Sequence, residues 1–137
     1  MGSFYRQTPL IGLLAVVYLI VAAVFDTALG KTLFDLTLPS GSVWRFLVSD
    51  LFLLIGLVLL YLEILKSTRS GRAQIVEHVA SMVVFVGCLL LFLLVRQTGT
   101  TTFLLITAMA AIDVVAGFTV SIIAARRDME IERVPQN

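Results

Sequence analysis

The chain is poor in the residues that carry chemistry. It has one cysteine, Cys88, and one histidine, His78, so an intramolecular disulfide, a cysteine metal cluster and a His-x-x-x-His site are excluded within one chain. Charged residues make up 14% of it, against about 25% in a soluble domain. The net charge is only +1, and no basic surface for a nucleic-acid partner exists. A Gly-x-Ser-x-Gly elbow, a phosphate-binding glycine loop, a Glu-x-x-His pair and an arginine ladder along a helix are all missing. Without a catalytic constellation, the expectation is a protein that is not an enzyme, with no cofactor and no metal.

What remains is apolar. Hydrophobic residues make up 59% of the 137, well above the soluble average of about 45–50%, so the solvent for this chain is lipid. Four runs read as membrane-spanning helices, at residues 9–25, 43–66, 75–95 and 102–125, followed by a mixed-charge cytoplasmic tail over 126–137 that frays. The expected fold is all-α: one domain over residues 1–137, a polytopic up-down bundle of four transmembrane helices. No length is left for a separate soluble domain.

The first run starts with Thr8 as N-cap and Pro9 at the first helical position, where a missing N–H costs nothing. It is longer than the 7–15 residues typical of a signal-peptide core, and Arg6 is the only basic residue before it, so it reads as a span. Residues 26–42 read as a loop, in which Leu36-Thr37-Leu38 can form a short extended piece and Leu33, Phe34, Leu36 and Leu38 can cover the bundle mouth at the interface. Trp44 and Arg45 mark the outer end of the second span, and Tyr61 and Lys66 its inner end. Residues 97–101 are short enough to force the last two spans into an antiparallel pair.

Charge sets the orientation. With four spans Arg6, Lys66, Arg69, Arg72, Arg126, Arg127 and Arg133 share one side, and Lys31, Arg45 and Arg96 the other. By the positive-inside rule the first side is cytoplasmic, with both termini there, and the compartment is the inner (plasma) membrane.

A few intramembrane polar groups are costly. Asp113 lies near the middle of the fourth span, where an aspartate costs about 2.5–3.5 kcal/mol on insertion scales. It shares a face with the small residues Ala110, Gly117, Ser121 and Ala124, a helix-packing face that turns the carboxyl toward other helices. Its role is either an interhelical hydrogen bond or a proton or cation site. Asp50 is expected to pair with Arg45 or Arg96 in the outer leaflet, and Glu63, Glu77 and His78 to form a polar cluster on the inner side. Asp50 and Asp113 are the best candidates for equivalent positions in an internal repeat, which the remaining residues support poorly.

The function expected from these residues is that of an accessory or scaffold subunit, whose partners are membrane lipids, copies of itself or a larger membrane complex. The alternative is a small proton- or cation-coupled transporter or channel using Asp113.

Overall fold

The computed structural model of the chain describes residues 9–25, 27–67 and 73–132, with the side chains of 67, 73–75, 124, 125 and 127–132 outside the description. The chain is mostly helical: α1 (Leu10–Val24), α2 (Val48–Ser67), α3 (Ala73–Leu94) and α4 (Thr101–Glu132). Two strands, β1 (Thr32–Thr37) and β2 (Val43–Leu47), lie between α1 and α2, and one 3-10 turn (Arg96–Thr98) joins α3 to α4. Over Val48–Lys66, Val76–Leu94 and Thr101–Ile123 the helices are long and apolar enough to cross a membrane. α1 is apolar too, but its 15 residues rise only about 23 Å, short of a hydrocarbon core of about 30 Å. Thr8, Arg6, Arg69, Arg72 and Arg133, which carried part of the capping and sidedness expectations, lie outside the described residues.

The hairpin corrects two expectations at once, the all-α class and a second span starting at residue 43. Pro39-Ser40-Gly41 is a three-residue hairpin loop: the Gly41 N–H donates to Leu38 O at 2.9 Å, and Gly41 takes a φ of 84°, which suits a residue without a Cβ. The strands pair antiparallel with Phe34 opposite Phe46, Asp35 opposite Arg45 and Leu36 opposite Trp44. One face therefore carries Phe34, Leu36, Trp44 and Phe46, and the other an aspartate facing an arginine.

β2 runs into α2 without a linker. The Val48 N–H donates to Lys31 O at 3.0 Å and the Ser49 N–H to Leu29 O at 3.1 Å, which bolts the hairpin base to the first turn of the helix. Asp50 reaches back to accept from the Leu47 N–H at 2.9 Å, the reciprocal half of a capping box, and its charge sits at the positive end of the helix. At the other boundary, α4 does not fray after residue 125. Helix continues to Glu132, past the apolar stretch that ends at Ile123.

The helices alternate in direction, yet the packing is not that of neighbours in sequence order. α4 is central, in extensive contact with both α2 and α3, and α1 lies across all three. α2 and α3 meet chiefly at their adjoining ends, where Lys66 Nζ lies 3.6 Å from Glu77. α1 turns Ile11, Leu14, Ala15, Tyr18 and Ala22 inward, one helical stripe, onto Phe52 of α2 and Phe103, Ile106, Met109 and Ala110 of α4. Its outward residues Leu13, Val16, Val17, Ile20 and Val24 are exposed and equally apolar, a surface that water would penalise and lipid would not. Hydroxyls on α4 are absorbed by their own helix: Thr107, Thr119 and Ser121 donate to the carbonyls four residues earlier at 2.8–3.0 Å.

Candidate functional site

The polar side chains gather at the two ends of the bundle, with an apolar core between. At the end away from the hairpin, Glu63, Lys66, Glu77, His78, Ser81, Asp113 and Pro9 line one small cavity of about 20 Å³. That is room for about one water molecule and for no organic ligand. The expected inner cluster of Glu63, Glu77 and His78 is thus brought together, and Asp113 joins it. Glu63 (5% exposed) and Asp113 (6%) are both buried there.

Glu63 has a role that the sequence did not suggest. Pro9, not Thr8, takes the N-cap position of α1, with φ −68° and ψ 116° and no side-chain cap of its own. The Glu63 carboxylate supplies it from α2: the Leu10 N–H donates to Oε1 and the Ile11 N–H to Oε2, the latter at 3.4 Å. A helix start leaves its first N–H groups without intrahelical partners and carries roughly half a positive charge, so a carboxylate there is favoured on both counts. Where water is scarce the cap is worth more, because an orphaned N–H has nothing else to bond.

His78 is held by α4. Ser121 donates its one hydroxyl proton to Gly117 O at 3.0 Å, so at 2.6 Å the His78 Nε2–H is the donor to Ser121 Oγ. The ring also stacks on Phe118, with centroids 5.8 Å apart and planes 26° apart. This position exists because residue 117 is glycine: a Cβ there would stand 2.5 Å from His78 Nδ1. The expected packing face on α4 is therefore consumed within the chain. Ala110 is 2% exposed, Gly117 receives the imidazole and Ser121 binds it, while the Ala124 side chain lies outside the described residues.

At the hairpin end the expected Asp50 pair with Arg45 or Arg96 does not form. Among the described residues the ion pair is Lys66–Glu77, and Asp50 is occupied with the Leu47 N–H. The cause is the hairpin: Arg45 stands on β2 opposite Asp35, not on the turn of a helix above Asp50. Arg96 instead lines an open cavity of about 830 Å³, with Tyr18, Ser49, Gln97, Thr100 and Thr102 among its walls. Tyr18 among them is fully buried, with its hydroxyl 2.6 Å from Thr100 Oγ1 and its ring 5.4 Å from both Phe52 and Phe103. Thr100 also caps α4, accepting from the Phe103 N–H at 3.2 Å.

Asp50 and Asp113 do not occupy equivalent depths. Asp50 is the third residue of α2, and Asp113 the thirteenth of α4, which removes the best support for a repeat. Among the described residues, no group of three or more His, Cys, Asp and Glu side chains is arranged to hold a metal ion. Cys88 is buried and free.

The fold and the polar cluster define a helical protein with three helices fit to cross a membrane and a short apolar fourth capped by its neighbour. Comparison of the chain with protein-family models, curated proteins and solved structures finds no match.

Proposed function

We propose that the chain is a small inner-membrane protein that crosses the bilayer four times with both termini cytoplasmic. Its work is that of an accessory or scaffold subunit, self-associating or seated in a larger membrane complex, and it performs no catalysis. α1 is the fourth crossing. It runs beside α2 from the level of Glu63, which caps its start, to that of Ser49, which shares a cavity with Ala22 and Ala23. Its shortness is a hydrophobic mismatch that packing against α2 and α4 and self-association relieve, at a modest cost per ångström. Lys66 and Arg126 lie at the same end of the bundle and favour the cytoplasm for it.

The observation that carries this reading is that the polar side chains bond helix to helix. Glu63 joins α2 to α1, Lys66–Glu77 joins α2 to α3, His78–Ser121 joins α3 to α4, and Tyr18–Thr100 joins α1 to the start of α4. Among the described residues no buried side-chain nitrogen or oxygen lacks a hydrogen-bond partner, as a bundle held together by its polar groups requires. With the α4 face used internally, a partner meets α3, whose span is only 6% buried against 44% for α4. In lipid nanodiscs the chain is expected to run as an oligomer or with a co-purifying membrane protein by native mass measurement. A strict monomer with no partner refutes the proposal.

A second reading rests on Glu63 and Asp113, two buried carboxyls beside His78 in one cavity: a proton- or cation-coupled carrier. Proteoliposomes decide between them. The scaffold reading expects wild type and Asp113→Asn both to match protein-free vesicles in proton and cation flux. Flux in the wild type that Asp113→Asn abolishes establishes the carrier instead.

A further inference from the structure

The hairpin is built as an interface anchor, and we propose that it lies flat in the membrane–water interface, with its Phe34–Leu36–Trp44 face turned into the lipid. The inference rests on the membrane reading above and goes beyond it, because neither crossing helices nor a scaffold role requires the loop between α1 and α2 to touch lipid.

Length fixes the depth of the hairpin base. The apolar stretch of α2, Val48–Lys66, is 19 residues, about 29 Å, and matches a hydrocarbon core of about 30 Å. Val48 then stands at the hydrocarbon boundary, and β2 ends on the residue before it. The two hydrogen bonds from Val48 and Ser49 to Lys31 and Leu29 hold the base there. Strands of 5 and 6 residues are about 17–20 Å long, whereas the headgroup layer on each side is only about 5–8 Å thick. An upright hairpin would carry Leu36 and Trp44, about 14 Å from Val48 along the strand, through the headgroups into water.

The side chains decide the orientation. Phe34 is 50% exposed, Leu36 48% and Trp44 46%, so the protein itself covers only about half of each. They form one continuous patch, with Phe34 stacked on Phe46 at 4.9 Å and Trp44 edge-on to both. The opposite face carries Asp35 across from Arg45, with Val43, 58% exposed, beside them across from Thr37. Aromatic rings concentrate at the headgroup level because an apolar body and a polar edge suit that layer. On α2 next to the hairpin base, Leu51, Leu54 and Ile55 are exposed as well, within the membrane-crossing length. Lipid is therefore the occupant, with the aromatic face inward and Asp35 and Arg45 toward water.

Trp44 is the chain's only tryptophan, so its fluorescence reads this position without any substitution. The purified protein in phosphatidylcholine vesicles carries lipids with quenchers attached near the headgroup or deep in the acyl chain, and a water-soluble quencher is used separately. The expected result is blue-shifted emission, strongest quenching by the shallow lipid label and weak quenching from water. Strong aqueous quenching overturns the proposal, as does strongest quenching by the deep label. Shielding from lipid and water quenchers alike points to a protein against the hairpin and overturns it equally. Alkaline extraction of the same vesicles separates the two levels: a retained protein with a water-exposed Trp44 refutes only the anchor, and an extracted protein refutes the membrane reading with it.

Discussion

Replacing Glu63 by leucine is expected to lower the stability of the folded bundle by about 3 kcal/mol, the largest effect of any single polar substitution in it. The carboxylate receives the Leu10 and Ile11 N–H groups of α1, at a site where Glu63 itself is 5% exposed. Removing it strands two donors at the positive end of a helix, and leucine fills the space without supplying an acceptor. Glu63→Gln keeps one acceptor oxygen of the two, so its expected loss is about 1 kcal/mol. Reversible unfolding in micelles gives the two values. The position of the damage is read separately with Cys88→Ala as background. Ile11, 1% exposed in the native bundle, is replaced by cysteine, and that thiol is expected to react slowly beside Glu63 and fast beside Glu63→Leu. Equal reaction rates would mean that α1 is held by its apolar stripe alone.

The second large effect reverses sign with its neighbour. Glycine inside a helix ordinarily costs about 1 kcal/mol relative to alanine, so Gly117→Ala by itself ought to stabilise α4. At this position the new Cβ would meet the His78 ring at 2.5 Å from Nδ1, forcing the imidazole off Ser121 and off Phe118. Gly117→Ala is therefore expected to destabilise by about 1–3 kcal/mol through overpacking and a lost hydrogen bond. With His78→Ala already present the obstacle is gone, and the same substitution is expected to stabilise by up to about 1 kcal/mol. A double-mutant cycle in one detergent measures both. Additive effects would show that the imidazole does not depend on the missing Cβ.

The sequence discloses the helices well and their relations poorly. Uncharged runs with short polar breaks place α1, α3 and the apolar part of α4 within a residue or two, because hydropathy is what lipid selects. The hairpin is hidden by the same criterion: Val43-Trp44-Arg45-Phe46-Leu47 is as apolar as the helix that follows, and hydropathy does not distinguish a strand from a helix. The available signal was Pro39-Ser40-Gly41-Ser42 between alternating apolar residues, a turn bounded by β-branched and aromatic side chains.

That boundary error propagates to the site. Counted from residue 43, Glu63 falls about 30 Å deep, at the far surface, and Asp113 stays alone in mid-span. Counted from Val48, Glu63 is about 22 Å deep and Asp113, counted from Thr101, about 18 Å, so the two belong to one cluster. The Glu63 cap could not be read at all, since its donors are 53 and 52 residues away in sequence. The small-residue stripe of α4 was legible, but its use was not. A stripe tells that something approaches closely, and only packing tells that it is His78 from the same chain.

The short first helix is where a four-crossing chain is most exposed to refutation, and reporter fusions at the two termini and at Ser40 in the hairpin loop test it most directly. The N-terminal and C-terminal reporters are expected on the cytoplasmic side and the Ser40 reporter on the opposite side. An N-terminal reporter on the same side as Ser40 would contradict the four-crossing arrangement and leave α1 as a helix that does not cross.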